Sequence, residues 1–502
     1  MKMSQCDAVS RPTERAGLLG LIFLGIIAGL NSPVCAQDVD VANAYTTAVG
    51  SALPAPDLPP DSYGAYTPYT PEPLAPPEGA ALRRPATEGL PPMLVQPGAA
   101  AISPTPNRFQ WGLSLLVRGV YDDNITLAPP GFRKFSDWYV GIQPAIALGF
   151  GDVLGRQGNY IRLDYAPEID IYIDHDEFND VQHLIRLEGQ YNFGRLTLNL
   201  TQDVQILTGT DTNSVIGNGT AISIANVDVA GRTDVNVYRT HLGAAYFLTD
   251  KTFLSSDAEY AIYDYDSSLI SSERFIGHLY FNYIPTGKLV LGIGGGGGIE
   301  WGDPPTPDQP FGSVNARVTY QATGKISLYV MGGVEFRDFE DENTSRGGTY
   351  TTGVYELGAT FQPFDGTLIT LRGNRRVAVS AVLPGQDFAL TNIIAGVRQR
   401  LFQRFYIGVT GGYEHDDYFS TLNGVNATRE DNYWLIEPSL DVVIFNHPSP
   451  TFPFGASVGA YYLHRENASN FNNFDFVDNQ VGILVAFNLL AFPAHLAEDF
   501  CR

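Results

Sequence analysis

The sequence has few charged residues, few cysteines and no long apolar run, and each shortage excludes a class of protein. Only 17% of the 502 residues are charged, less than the roughly 25% of an ordinary soluble domain. The cysteines are Cys6, Cys35 and Cys501, and no cysteine or histidine group has the spacing of a zinc site. No apolar run reaches about 18 residues, so the sequence predicts no transmembrane helix.

The charge is strongly acidic, because 54 acidic residues outnumber 31 basic ones and leave a formal net charge of -23. A nucleic-acid partner needs lysines and arginines that neutralise phosphates, so we expect none. The sequence has no G-x-S-x-G nucleophile motif. The glycines at 292–298 continue into a strand pattern, whereas a dinucleotide site requires a helix there. We therefore predict no catalytic residue, no cofactor, no metal site and no enzymatic activity.

The N-terminus is typical of an exported chain. Arg11 and Arg15 precede an apolar run from Gly17 to Leu30, and small residues surround Cys35. This arrangement predicts a signal peptide over residues 1–36 that is cleaved on export. Residues 37–107 are rich in proline, which excludes helices and central strands. We expect a disordered periplasmic segment there, either a tether or a passive linker.

From residue 109 onward, apolar and polar residues alternate with a period of two. In the clearest stretch, Ile161, Leu163 and Ile169 alternate with Arg162 and Asp164. Stretches of ten or more residues with this pattern are typical of tilted membrane strands. The sequence therefore predicts an all-β, antiparallel transmembrane β-barrel of about 18 strands, with 16 as the alternative. The barrel is predicted to occupy residues 108–492, followed by a C-terminal tail over residues 493–502.

The connections between these strands alternate in length. Short ones such as Asn192–Arg195 carry tight-turn residues, whereas long ones such as Gly209–Gly231 and Ser420–Asn432 are polar and mostly acidic. Short periplasmic turns and long extracellular loops are the arrangement of outer-membrane barrels. Whether Gly209–Gly231 folds into the lumen is left open by the sequence.

Charged residues on the polar face of the predicted strands are the candidates for lining the lumen. Such charges set ion selectivity and orient polar solutes, or they pair with one another and keep the wall hydrated. We expect Arg372, Arg376 and Arg398 to form a local positive patch on neighbouring strands. The candidates are Arg162, Asp164, Glu168, Asp170, Arg186, Glu188, Arg239, Glu335, Arg337, Arg372, Arg376, Arg398, Glu414, Asp416 and Glu437.

One short motif follows the first predicted strand: Val120-Tyr121-Asp122-Asp123-Asn124-Ile125-Thr126. Its Asp122-Asp123-Asn124 core has two interpretations, a divalent-cation site and a turn rich in Asx residues, and we favour the turn. Together with the signal peptide, the spacer and the strand series, this segment resembles the β-barrel porin type 2 family over about residues 109 to 490. The resemblance implies an outer-membrane β-barrel. It also implies an association with exopolysaccharide or capsule systems.

These observations predict a protein of the bacterial outer membrane. Its expected partners are outer-membrane lipids and lipopolysaccharide, with small polar solutes or a polysaccharide in the lumen. The first hypothesis is a passive, porin-like channel or a pore associated with polysaccharide export. The alternative is a non-conducting structural barrel that presents acidic extracellular loops. The sequence leaves the oligomeric state open.

Overall fold

The computed structural model of the protein describes residues 109–151, 159–213, 224–266, 268–323, 325–339, 349–364, 366–402, 404–422, 425–447 and 454–489. The predicted signal peptide, the proline-rich segment, the C-terminal tail and Cys501 lie outside these residues. Within them, no helix combines the length and the apolar character needed to cross a membrane.

The described chain is almost entirely β-strand, with one 3-10 turn at Asp176–Phe178 between the third and fourth strands. In chain order the strands are β1 (Phe109–Asp122), β2 (Asp137–Gly151), β3 (Tyr160–Tyr172), β4 (Asp180–Phe193), β5 (Leu196–Gly209), β6 (Asp211–Asn213), β7 (Ile224–Ala225), β8 (Thr233–Thr249), β9 (Thr252–Tyr265), β10 (Ser272–Thr286), β11 (Leu289–Gly302), β12 (Gln309–Thr323), β13 (Ile326–Arg337), β14 (Tyr350–Phe361), β15 (Thr367–Val379), β16 (Gln386–Leu401), β17 (Phe405–Ser420), β18 (Glu430–His447), β19 (Phe454–Ser469) and β20 (Phe476–Leu489).

Eighteen of these strands form one closed sheet, and the short strands β6 and β7 form a separate hairpin. Each barrel strand pairs antiparallel with its neighbours in sequence, except that β5 pairs with β8 across the β6–β7 hairpin. The ring closes because β1 pairs with both β2 and β20. The predicted 18-stranded antiparallel barrel is therefore confirmed.

The two faces of the barrel wall differ in polarity because side chains alternate along each strand. On the outer face Leu279, Ile293 and Val314 lie on three adjacent strands and are each more than half exposed. On the inner face of the same strands, His278 and Ser313 are buried. An apolar outer band around a polar interior is the arrangement that a membrane barrel requires.

The strand connections fall into two groups at opposite ends of the barrel. The turns at Gly194–Arg195, Asp250–Lys251 and Gly287–Lys288 are short, and they share an end with the start of β1 and the end of β20. The long connections lie at the other end, which we call the long-loop mouth. This alternation agrees with the turn lengths that the sequence predicts.

The Asp122-Asp123-Asn124 motif joins the first and last strands at the long-loop mouth. Asp123 accepts hydrogen bonds from the backbone N and the Nδ2 of Asn479, at 2.8 and 2.7 Å. Asn124 is fully buried and donates from Nδ2 to the carbonyls of Val477 and Ala128, at 3.0 and 3.2 Å. The motif therefore closes the seam between β1 and β20.

The interpretation of this motif as a divalent-cation site is weakened, because most of its carboxylate oxygens already accept hydrogen bonds from the protein. Oxygens of Asp122, Asp123 and Asp478 lie within 4.8 Å of one another. However, Asp122 accepts from the Asn124 backbone at 2.7 Å and from Gln480 at 3.0 Å, and Asp478 accepts from Arg465 at 2.5 Å. These contacts account for the acidic motif through hydrogen bonds of the seam.

The glycine run on β11 makes room for side chains of β10 and β12. A Cβ on Gly296 would lie 2.2 Å from His278 Cδ2 and 2.4 Å from the backbone oxygen of Gly277. A Cβ on Gly292 would lie 2.8 Å from Arg317 Cγ. Neighbouring inner-face side chains therefore lean over β11, which explains the run without a nucleotide site.

We expect Asn124→Ala to destabilise the barrel by about 1–3 kcal/mol, because it leaves buried backbone groups of the seam without partners. Urea titration followed by tryptophan fluorescence measures the change. Asn473→Ala is the matched control, because Asn473 is exposed in the β19–β20 connection. Equal midpoints for the two variants would show that Asn124 does not hold the seam.

We expect Gly296→Ala to lower the free energy of unfolding by about 1–3 kcal/mol, because the added methyl meets a neighbouring ring and a backbone carbonyl. Gly353→Ala on β14 is the control, since a Cβ there meets nothing within 4 Å. The same urea titration compares the two variants. A destabilisation by Gly353→Ala as large as that by Gly296→Ala would contradict the close approach.

Candidate functional site

The candidate site is the charged interior of the barrel together with the long-loop mouth. Several predicted lumen residues lie on the inner face and form ion pairs. Arg162 Nε lies 2.6 Å from Asp164 Oδ2, and Arg398 Nη2 lies 3.0 Å from Asp441 Oδ2. Such pairs keep opposite charges close in a wall of low dielectric constant.

Glu168 and Asp170 on β3 share a cation that the sequence candidates omit. Arg118 on β1 contacts the Glu168 carboxylate and lies 3.3 Å from Asp170 Oδ2. The guanidinium also stacks on Tyr139, at 5.3 Å from the ring centroid. The period-two pattern of β1 places Arg118 on the inner face, and this pattern was the signal that could have found it.

On β4, Arg186 bridges two carboxylates. Its Nε lies 3.5 Å from Glu188 Oε2, and its Nη1 lies 3.7 Å from Asp203 Oδ1 on β5. Arg239 on β8 donates to the hydroxyl of Tyr263 on β9, at 3.0 Å. Arginines therefore join adjacent strands across much of the inner face.

Arg337 is the centre of a buried charged cluster of the interior. It is 0% exposed and lies 2.7 Å from Glu300 on β11 and 3.0 Å from Glu335 on its own strand. Its Nη1 also donates to Gln309 Oε1 at 2.7 Å. Glu300 and Gln309 come from β11 and β12, so only the register of the closed sheet brings them to Arg337 and Glu335, two of the lumen-lining candidates.

The expected positive patch of Arg372, Arg376 and Arg398 does not form. Arg398 on β16 pairs with Leu368 on β15. Leu368 and Arg376 are eight residues apart on β15, so Arg376 and Arg398 are separated along the strands by roughly 27 Å at the rise of an antiparallel strand. Arg398 pairs with Asp441, whereas Arg372 is half-buried between the other two positions. The residues share adjacent strands, but strand register separates them.

Other predicted residues have no opposite charge within ion-pair distance. Arg376 is buried, and among the described residues it forms neither a hydrogen bond nor an ion pair. Glu414, Asp416 and Glu437 are also buried, and no lysine or arginine in the described part of the chain forms an ion pair with them. Buried polar atoms without protein partners require water or ions.

The connection between β5 and β8 folds into the barrel at the long-loop mouth. Its described parts, residues 210–213 and 224–232, include the β6–β7 hairpin. Residues 224–230, here called the inward segment, contact the inner wall from β15 to β20. Because β17 is the ninth strand from β8 in either direction around the ring, the segment reaches the opposite wall.

Asp228 anchors the inward segment to that opposite wall. Its carboxylate accepts hydrogen bonds from Ser380 Oγ at 2.8 Å, from the Ala381 backbone at 2.6 Å and from Tyr418 Oη at 2.8 Å. Arg429 also donates hydrogen bonds to the backbone carbonyls of Asp228 and Val227, at 3.0 and 2.9 Å. Five hydrogen bonds therefore hold a two-residue stretch of the segment.

Apolar packing supports the same anchor. Ala225 and Val227 are buried, and they pack in one cluster with side chains from the far wall. The far-wall members of this cluster are Phe388, Leu390, Tyr418, Tyr433, Leu435, Leu463 and Phe476. Burial of apolar surface adds roughly 25 cal/mol per Å² to the polar contacts, so the segment is a fixed part of the mouth.

The comparisons with known proteins concern the barrel as a whole. No family model and no curated protein matches the chain. Among solved structures, the chain is similar to Pseudomonas aeruginosa OccK2 (OpdF) in complex with glucuronate, with a TM-score of 0.40 and 10% identity over 76% of this chain and 98% of that chain. It is also similar to OpdO of the same organism, with a TM-score of 0.39 and 12% identity over 76% and 98%.

A third similar structure is OprD of Pseudomonas aeruginosa, with a TM-score of 0.35 and 12% identity over 78% of this chain and 98% of that chain. The barrel architecture described above rests on strand pairing within this chain. The resemblance to the β-barrel porin type 2 family stays a prediction, as does the expected lack of enzymatic activity.

We expect Arg337→Met to destabilise the barrel by about 3–5 kcal/mol, because it leaves the buried carboxylates of Glu300 and Glu335 without their cation. Urea titration of the purified protein measures the loss. Arg404→Met is the control, because Arg404 is exposed in the turn before β17. If the two variants unfolded at the same urea concentration, the buried cluster would have no role in stability.

Proposed function

We propose that this chain forms a passive channel of the bacterial outer membrane for small polar solutes, narrowed at its long-loop mouth by the inward segment. The observation that carries the proposal is a closed 18-stranded barrel with an apolar outside and a charged inside. A closed ring satisfies every strand's backbone hydrogen bonds, which a structure surrounded by lipid requires.

The interior supports a hydrated path. Buried oxygens and nitrogens of Arg239, Glu259, Asn374 and Asp416 lack protein hydrogen-bond partners within the described residues, and such groups are ordinarily satisfied by water. A barrel of this strand number is wide enough to enclose an aqueous lumen. Charges of both signs on its wall then select solutes by size and polarity rather than by one sign of charge alone.

The inward segment favours small solutes over a polymer. It spans from β5 and β8 to the far wall, and the Asp228 anchor holds it there. A solute that enters from this mouth must pass beside the segment. The association with exopolysaccharide systems stays a prediction of the resemblance.

Planar-bilayer recording of the full chain, purified from outer membranes, tests the proposal. We expect discrete conductance steps from the native protein. We expect Asp228→Ala to raise the step size by at least about twofold, because loss of the anchor frees the segment that narrows the mouth. A salt gradient across the bilayer then reports the charge preference of the wall.

Asp234→Ala is the matched control, because Asp234 is exposed at the start of β8 and lies near the same connection. We expect this variant to conduct like the native protein. If native protein and Asp228→Ala were both folded and silent, the barrel would be non-conducting, in agreement with the structural alternative. Equal conductance of native protein and Asp228→Ala would show that the segment does not limit flow.

A further inference from the structure

Five short turns between β8 and β17 form a continuous arc at the end of the barrel opposite the long-loop mouth. We call these turns, residues 250–251, 287–288, 324–325, 362–366 and 402–404, the short-turn rim. A backbone hydrogen bond joins each turn to the next one along the ring. The four pairs, at 2.8, 2.8, 2.8 and 2.6 Å, are Ile284 N with Lys251 O, Gln321 N with Lys288 O, Gln362 N with Lys325 O, and Arg400 N with Gly366 O.

The short-turn rim is basic, although the chain has a net charge of -23. Asp250 and Asp365 are its acidic residues, and they are outnumbered by four basic ones. Lys288 Nζ donates to the carbonyl of Ala322 at 2.9 Å, and Lys325 Nζ donates to that of Pro363 at 3.1 Å, so each ammonium group leans toward the next turn. The basic residues of the rim, all exposed, are Lys251, Lys288, Lys325 and Arg404.

Two exposed phenylalanines continue this row of cations. Phe402 is 88% exposed and Phe364 is 71% exposed, the highest values among the large apolar side chains of the described residues. Phe361 and Phe405 end the lipid-facing rows of β14 and β17, so the aromatic belt of the membrane interface is already present there. Phe364 and Phe402 lie beyond that belt, in adjoining turns. Exposed aromatic rings beside cations mark a surface for binding another chain.

A stretch of the same chain has the complementary chemistry, although it lies outside the described residues. Residues 54–78, here called the acidic proline stretch, contain nine prolines, four acidic residues and three tyrosines, and neither lysine nor arginine. Carboxylates complement the cations of the rim, and proline-rich chains in the PPII conformation bind exposed aromatic rings. The acidic residues of the stretch are Asp57, Asp61, Glu72 and Glu78.

We propose that the acidic proline stretch binds the short-turn rim of its own barrel. The carboxylates of the stretch pair with the lysines of the rim, and its prolines pack on Phe364 and Phe402. The proline-rich segment is then a bound part of the barrel end rather than a passive linker. The proposal concerns the position of this segment and does not depend on conduction.

The covalent connection between the stretch and the barrel favours this binding. The 30 residues 79–108 lead to Phe109, which starts β1 at the same end of the barrel as the rim. β12 is the ninth strand from β1 in either direction, which is roughly 43 Å along the ring at the spacing of neighbouring strands. A chain of this length spans roughly 30 Å as a coil and roughly 90 Å when extended. The tether therefore reaches the rim and supplies a high effective concentration, so individually weak contacts suffice.

Zero-length carbodiimide cross-linking of the full chain in outer membranes, read by mass spectrometry, tests the proposal. We expect the rim lysines to link to carboxylates of the stretch at least about fivefold more often than to Glu88, which is closer to β1 in sequence. A passive linker brings Glu88 to the rim about as often, and that result would overturn the proposal. Lys134 is the matched control, because it is exposed at the long-loop mouth, and we expect no link between it and the stretch.

A double variant tests the aromatic part of the surface. We expect Phe364→Ser combined with Phe402→Ser to lower the yield of these links at least about threefold, because the lysines stay in place while the rings that bind proline are lost. Phe132→Ser is the control, since Phe132 is 66% exposed at the long-loop mouth. Equal yields from the two proteins would contradict the proposal.

An anionic phospholipid headgroup is the other ligand that the rim lysines attract. If the native protein formed no links to the stretch but retained anionic phospholipid that Lys288→Gln lost, the rim would bind lipid and the proposal would be wrong.

Discussion

Hydrogen-bonded closure between the first and last strands is the constraint on which the rest of this structure depends. In lipid, a strand edge with unpaired backbone groups costs several kcal/mol per group, so the ring has to close. β1 and β20 meet this demand through a continuous ladder, and Asp123 and Asn124 add side-chain hydrogen bonds at its long-loop end. The Asp122-Asp123-Asn124 motif, for which the sequence offered a ligand site or a turn, thus stabilises the closure of the barrel.

Closure also decides which charges meet inside the barrel. Once the register is set, Arg337 lies between carboxylates of two strands, and Arg118 of β1 lies between Glu168 and Asp170 of β3. These contacts reach across one or two strand spacings, and each requires a particular register. Charges that the register leaves unpaired, such as those of Arg376 and Asp416 among the described residues, are the groups available to water, ions or solutes.

The inward segment makes the two ends of the barrel different from each other. The short-turn end has no equivalent among the described residues, whereas the long-loop end is crossed by residues 224–230. Asp228 and Arg429 hold the crossing through hydrogen bonds to the far wall. The buried carboxylates of Glu414 and Asp416 on β17 lie near this anchor, because Tyr418 on the same face of that strand donates to Asp228.

The sequence by itself determined the strand pattern and the two faces of the strands, because a period of two fixes which side chains point together, and it limited the strand number to 18 or 16. Ile161, Leu163 and Ile169 are outward and Asp164 and Asp170 are inward as the alternation predicts. The same reasoning placed most charged candidates on the inner face, but it grouped Arg376 with Arg398, which strand register keeps apart.

The tertiary structure alone decided which inner-face residues meet, where the β5–β8 connection goes and what the Asp122-Asp123-Asn124 motif does. Each of these depends on contacts between residues far apart in the chain, such as Asp228 with Tyr418 or Asn124 with Val477. Local periodicity carries no information about such contacts, because it describes the face of a strand and not its neighbours. Closing the ring supplies the neighbours, and with them the chemistry of the interior.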